Sequence, residues 1–433
     1  MQARTFEGFS VGKNGRLTIG GCDAVLLAQR FATPLYVFDE TRLRANCRDY
    51  REAFRLNYPS ESRIAYAAKA FLTLAMAKLI KEEGLSLDVA SAGELFTAMS
   101  ARFPAGRIYM HGNCKTQEEM TMALRYGVHR LIIDSEQELI QLNRIAAKMG
   151  KKADIFLRIT PGVEAHTHEY IKTGHLDTKF GIHIESGLAL KAVKSALALK
   201  NINLHGIHAH IGSQIFDLES YQVMIEMVFA FLKDVRSKTK KVFGELDFGG
   251  GLGIRYSQEQ HPPSVADYAR VISRTLGQIS HDLDYPLPQI IVEPGRSIVA
   301  EAGVTLYTIH YVKKIPGGKS YVIVDGGLSD NPRPALYGAR YRVAVANKMN
   351  KPANFPCTVS GKHCETDRLF QDVNIQTPQR GDIMAVFSTG AYNYSMASNY
   401  NRYPRPAAIM AANGKARLIV RRESLGDLLR QDL

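Results

Sequence analysis

Between residues 41 and 300 the chain alternates two hydrophobic rhythms. Stretches such as Thr73 to Glu83, Gln117 to Tyr126 and Glu136 to Met149 repeat apolar residues at three- and four-residue intervals, the spacing of one helix face. Short apolar runs between them read as strands. Eight fall at 63–70, 86–91, 107–112, 130–134, 154–160, 204–211, 245–248 and 289–293. Strands alternating with helices predict a parallel sheet, and eight such units predict a closed (β/α)8 barrel. No dinucleotide fingerprint follows the first run, which argues against the open alternative.

Beyond residue 300 the rhythm shifts to strands: Val304 to Lys313, Ser320 to Val324, Cys357 to Ser360, Asp382 to Phe387 and Lys415 to Arg421. Asn413-Gly414 between apolar runs predicts a hairpin turn. The start of the chain is also strand-rich, at Arg16 to Ile19 and Pro34 to Phe38, with a short helix expected over Asp23 to Arg30. The organisation expected is therefore an α/β barrel over 39–300 and an all-β domain over 301–433, completed by strands from 1–38.

Polar residues recur at the ends of the barrel runs. In Ile64-Ala65-Tyr66-Ala67-Ala68-Lys69-Ala70, alternation puts Ala65, Ala67 and Lys69 on one face. In Gly206-Ile207-His208-Ala209-His210-Ile211 the histidines share a face opposite the apolar residues. Asp88, His111, Asp134, Arg158 and Glu293 end other runs. A lone terminal lysine is ordinarily solvated; six further polar residues converging on one barrel mouth, His210 among them, predict a binding site there.

Composition adds bounds. The hydrophobic share of 45% and charged share of 22% are those of a globular protein. The five cysteines are scattered and form no CxxC pair, which argues against a disulfide framework or zinc site and for a reducing, cytoplasmic setting. No run is long enough to span a bilayer, and the first residues lack a signal-peptide core. The formal charge of +13 is spread out, with no basic stripe interleaved with aromatics, so no nucleic-acid partner is expected.

Two loops at the mouth carry further chemistry. Gly249-Gly250-Gly251, after the seventh run, lets backbone N–H groups approach an anion, and Ser213 offers a hydroxyl nearby. Glu293-Pro294-Gly295-Arg296, after the eighth, offers a carboxylate and a guanidinium. A lysine, a histidine, an anion cradle and a carboxylate together suit pyridoxal 5'-phosphate.

The chain resembles the fold-type III pyridoxal-phosphate enzymes, whose barrel is TIM-like and alanine racemase-like, and within them the diaminopimelate decarboxylase family. The shared stretches are Tyr66 to Ala70, His208 to Gln214 and Glu293 to Arg296. More specific are Glu169 to His175 with Lys179-Phe180-Gly181, Asp330 to Tyr337, His363-Cys364-Glu365, and Thr389 to Tyr392 with Ser395 to Asn401. The resemblance implies decarboxylation of meso-2,6-diaminopimelate to L-lysine, the last step of lysine biosynthesis. It implies Lys69 as the Schiff-base lysine, His210 stacked on the ring, Glu293 at the ring nitrogen, and Asp88, Ser213, Gly249, Gly250, Gly251, Gly295, Arg296 and Tyr392 around the cofactor. It further implies Arg296, Arg333, Tyr337, Glu365 and Tyr392 at the substrate, Cys364 as the acid that reprotonates Cα, and a homodimer in which Cys364 and Glu365 serve the other subunit's site. No metal is expected. Two departures stand out: Ala209 replaces an expected cysteine, and Thr366-Asp367-Arg368 replaces a Ser-Gly-Asp-like turn. The alternatives are a decarboxylase of the same fold acting on D-lysine, D-ornithine or a carboxylated polyamine, and a non-catalytic homologue that binds a protein partner.

Overall fold

The computed structural model describes residues 5–162 and 179–433. The Glu169 to His175 motif lies outside the described residues. The chain divides into two compact units, one of residues 46–253 and 261–297, the other of residues 1–45, 254–260 and 298–433.

The first unit holds a closed barrel of eight parallel strands: Ser62–Ala67 (β1), Ser86–Val89 (β2), Ile108–Met110 (β3), Arg130–Ile133 (β4), Ala153–Thr160 (β5), Ile202–Ala209 (β6), Glu245–Asp247 (β7) and Gln289–Val292 (β8). Val292 pairs with Ile64, which closes the ring between β8 and β1. Most strands stop one to three residues before the sequence pattern predicts. The pattern scores hydrophobicity, whereas the ladder ends where backbone groups turn into loops. Lys69 is the clearest case: β1 ends at Ala67, and Lys69 sits in a single 3-10 turn over Ala68–Ala70. Its placement therefore comes from that turn and not from the strand alternation expected.

Serine and threonine caps define the surrounding helices. Thr73, Ser91, Thr116, Ser135 and Ser264 each accept a backbone N–H from the first turn, and Thr116 with Glu119 forms a reciprocal capping box. Each such cap contributes about 1 kcal/mol. Inside the ring, Ala65, Tyr109, Ile132, Phe156 and Ile291 form a buried apolar cluster. The barrel is a packed core, and the polar residues stand above it.

The second unit is strand-rich. Its central strand, Gly303–Lys314, pairs antiparallel with Leu35–Asp39, Ser320–Val324 and Ile383–Phe387. Leu35–Asp39 also pairs in parallel with Ala407–Ala412, and Ala407–Ala412 forms the predicted hairpin with Lys415–Val420. The turn residues Asn413 and Gly414 both have positive φ, 52° and 74°. This is the twist that a two-residue hairpin demands. Asp23 caps the expected early helix, observed over Ala24–Phe31. Phe9, Leu17 and Ile19 bury into one core with Val304, Leu306 and Ile409. Strands Val343–Val345 and Arg368–Ile375 were not foreseen. Among the described residues no helix is long and apolar enough to cross a membrane.

Candidate active site

In the barrel unit the predicted residues meet just past the strand ends. Glu293 is buried between two imidazoles, with His111 Nε2 2.6 Å from Oε1 and His208 Nε2 3.3 Å from Oε2. The two histidine rings meet edge to face at 4.9 Å. Asp88, 2% exposed, reaches toward Lys69 Nζ at 3.9 Å and toward His111 at 3.7 Å. Asp134 lies 3.8 Å from Arg158 and accepts the N–H of Gly181. Arg158 also covers the Phe180 ring. The half-exposed Lys69 side chain is thus an amine over a floor of buried acids and histidines.

The charges follow from this packing. Burial pushes the Asp88 carboxyl up, opposed chiefly by His111. Burial pushes the Glu293 carboxyl up, but the attraction of His111 and the hydrogen bonds from His111 and His208 together outweigh it and hold the group well below the usual carboxylate range. Asp247, buried beside Glu293, is driven well above that range by desolvation and by its neighbour's charge. Burial takes His208 down to about 3, so its ring is neutral. His210 is likewise held neutral, by desolvation and then by the charge of Lys69.

The glycine tract is packed rather than loose. A Cβ on Gly249 would lie 2.6 Å from His210 Nδ1, one on Gly250 would overlap the Glu293 carbonyl, and one on Gly251 would lie 2.5 Å from the Gly212 carbonyl. The tract fits only without side chains, which excludes a merely flexible turn. Gly295 does the same beneath Lys69, where a Cβ would meet those of Ala67 and Ala70 at 2.9 and 3.1 Å. Arg296 is buried and donates to Ser213 Oγ through Nη2 at 3.0 Å and Nε at 3.3 Å.

The second unit holds the other candidates in two groups. Arg333 is buried among tyrosines: Nη1 donates to Tyr256 at 3.0 Å and Tyr341 at 2.7 Å, and its guanidinium faces the rings of Tyr256, Tyr337 and Tyr341. Those tyrosines raise its pKa despite burial. The second group is the loop 361–367. Cys364 and Glu365 are exposed on it, while His363 and Asp367 on either side are buried. Asp367 Oδ2 faces His363 Nδ1 at 2.7 Å and accepts the His363 N–H at 3.0 Å, and Oδ1 accepts the Leu328 N–H at 2.8 Å. His363 stacks on Tyr400, whose hydroxyl donates to Glu365 at 2.6 Å, and Asn401 accepts the Cys364 N–H. The departing turn is therefore anchored by its own aspartate, at φ +36°. Tyr392, half-buried, also has positive φ, +61°.

Sequence reasoning missed His208 as a partner of Glu293, as well as Asp247, Tyr256, Tyr341 and Asp367. His208 carried the available signal, its shared face with His210. Tyr256 and Arg333 are 77 residues apart, and no local pattern links them.

The donor set fits pyridoxal phosphate. It supplies an amine, an anion-accepting glycine cradle beside a serine and an arginine, and a buried carboxylate. Among the described residues, Asp88 Oδ1 is buried without an aligned hydrogen-bond donor. His111, His208, Asp247 and Glu293 also bring potential metal-ligating atoms within 4.8 Å of one another. The 2.6 Å His111–Glu293 approach is shorter than the separation of about 3.3 Å between neighbouring ligands in a tetrahedral zinc site. The cluster is spaced for sharing protons.

Barrel and site define a pyridoxal-phosphate-dependent decarboxylase of fold type III. The family model for the pyridoxal-dependent decarboxylase, pyridoxal binding domain, matches residues 40–300. The chain is 44% identical to the diaminopimelate decarboxylase of Bacillus subtilis, over 97% of this chain and 96% of that one. It matches the crystal structure of the M. jannaschii diaminopimelate decarboxylase in complex with L-lysine at a TM-score of 0.92 and 36% identity, covering 98% and 97% of the two chains. A Vibrio vulnificus lysine/ornithine decarboxylase bound to putrescine shares the fold at TM-score 0.76 but only 22% identity, over 91% and 100%. The chain belongs to the diaminopimelate decarboxylase family.

Proposed function

We propose that the protein decarboxylates meso-2,6-diaminopimelate to L-lysine and carbon dioxide, the last step of lysine biosynthesis. The observation that carries the reaction is the buried Glu293 flanked by two imidazoles in a barrel mouth that also presents Lys69. Bound pyridoxal phosphate supplies the electron sink for the pair left on Cα when carbon dioxide departs. The protein's own groups do the rest. Lys69 would hold the cofactor covalently, with Asp88 beside it. His210 and Glu293 would hold the cofactor ring, His210 by stacking and Glu293 at its nitrogen. Ser213, Arg296, Gly295 and the N–H groups of Gly249, Gly250 and Gly251 bind the phosphate side.

Specificity comes from charge at the far end of the substrate. A distal carboxylate suits planar guanidinium donors, here Arg296 and Arg333 with Tyr337. Glu365 takes the distal ammonium, and Tyr392 touches cofactor or substrate. Substrates lacking that pair leave buried charges unmatched, which is a strong form of rejection. Cys364 returns the proton to Cα. The chain works as a homodimer in which Cys364 and Glu365 of one copy serve the cofactor of the other. Its setting is the cytoplasm, in keeping with five scattered cysteines that form no CxxC pair.

The test incubates the protein, supplied with pyridoxal phosphate, with meso-diaminopimelate, D-lysine and D-ornithine in parallel, and reads carbon dioxide and the amine product. Release from diaminopimelate alone, with L-lysine formed, is expected. Release only from the other two would keep the cofactor chemistry and overturn the distal assignments.

A further inference from the structure

Strand register sets three polar residues in one row across the barrel. Arg158 on β5 pairs with His208 on β6, and His208 with Asp247 on β7. Asp247 lies opposite Ile291, an inward residue of the apolar cluster two positions before Glu293. Alternation carries Glu293 to that same inward side, one step nearer the mouth. Glu293 thus stands over the row. Asp247 is 1% exposed; its Oδ1 accepts the Gly249 N–H at 2.9 Å, and its Oδ2 is buried without a donor among the described residues.

Two carboxylates this close and this dry do not both ionise. Glu293 has imidazole nitrogens at 2.6 and 3.3 Å, closer than the 4.8 Å that spans the whole cluster, which assigns the proton to Asp247. Asp247 then presents an O–H, and neutral His208 an N–H, toward one carboxylate. Neither brings a positive charge.

We propose that His208 and Asp247 are positioning residues that keep Glu293 turned and ionised for the cofactor's ring nitrogen. This rests on the reading that Glu293 is that nitrogen's partner. Donors aimed at a carboxylate favour its charged form and fix its rotamer. His111 and Arg158 add attraction from the sides, and Asp88 opposes it. Without the two donors, only His111 still holds Glu293 closely against the effect of burial, so a larger share of the acid is neutral, and a neutral acid leaves the ring nitrogen bare.

The experiment reconstitutes the full-length protein with pyridoxal phosphate labelled with 15N in the ring, then reads the nitrogen resonance at neutral pH and the cofactor dissociation constant. The wild type should show a protonated nitrogen and Glu293→Gln an unprotonated one. His208→Phe and Asp247→Leu should move the resonance part of the way and weaken cofactor binding roughly tenfold or more. Asp247→Asn and His208→Gln retain a donor and should recover most of both. A merely structural role would weaken binding and leave the resonance where it is in wild type, which would overturn the proposal. If Glu293→Gln itself leaves the resonance unmoved, the reading of Glu293 fails and the proposal falls with it. Where the apolar variants do not fold, His208→Asn is still polar but too short to reach Glu293. A partly shifted resonance in that variant supports the proposal, and an unshifted one overturns it.

Discussion

The barrel mouth and the loop 361–367 present reactive groups in opposite ways. At the mouth the acid proposed to face the cofactor, Glu293, is itself buried, and its partners His111 and His208 are buried with it. On the loop the groups of interest, Cys364 and Glu365, face outward, and only their anchors His363 and Asp367 are buried. A carboxylate that must stay charged against a flat cofactor needs a dry, pre-set surrounding. A thiol and carboxylate that must reach a bound substrate need a rigid base and a free front. The first arrangement concentrates its cost in charge burial, the second in backbone conformation.

The largest effect that separates the two regions is at Lys69. Lys69→Ala should abolish turnover, because no other described amine lies over the Asp88–Glu293 floor. The check is carbon dioxide release alongside the loss of the bound-cofactor absorbance band. Wild-type turnover would sink the assignment of the mouth as the covalent site.

A buried acid also supports the second unit. Asp330 accepts the Gly327 N–H at 2.9 Å and is pushed by burial to about 7. Its unfolded value is near 3.9. Between those values the folded chain binds the extra proton, so the contribution of Asp330 is fully present below about pH 4 and is lost as pH rises through about 7. The loss accumulates to roughly 4 kcal/mol, at no more than about 1.4 kcal/mol per pH unit. Urea unfolding between pH 4 and 8 should show this slope in wild type and a flatter one in Asp330→Asn. Equal slopes would remove Asp330 as its source.

Cys364→Ala is expected next, with a loss of roughly 100-fold in kcat and little change in the cofactor spectrum, as for removal of a general acid. Mixing it with Lys69→Ala subunits should restore part of the activity through one intact hybrid site. No recovery after demonstrated subunit exchange would count against sharing between copies.

Much of this was legible in the chain, and what was not has physical reasons. Helix and strand alternation exposed the barrel because each element must bury one face, and the polar strand ends exposed the mouth because charge there needs a partner. The sequence pattern puts Lys69 on a strand because its alternation continues past Ala67, where the ladder stops. The glycine tract was readable as an anion loop, but its tight fit against His210, Glu293 and Gly212 depends on neighbours distant in sequence. The tyrosines around Arg333 and the passage of residues 254–260 into the second unit are also products of tertiary packing.

The smallest effect sharpens the comparison most, because it touches support without touching chemistry. Asp367→Ala removes the acceptor of the His363 and Leu328 N–H groups and the partner of the His363 ring. Leaving a buried N–H unpaired costs about 1–3 kcal/mol, but an exposed loop relaxes and recovers part of this through water. The aspartate's positive φ of 36° adds that alanine would not hold the turn willingly. A roughly three- to tenfold fall in kcat is therefore expected, with cofactor affinity unchanged. Asp367→Asn, which keeps an acceptor and tolerates the backbone, should sit between alanine and wild type. Steady-state kinetics and cofactor titration on the three proteins decide it. If Asp367→Ala weakens cofactor binding as much as turnover, the loop is not a separate rigid base for Cys364, and the contrast between the two regions fails.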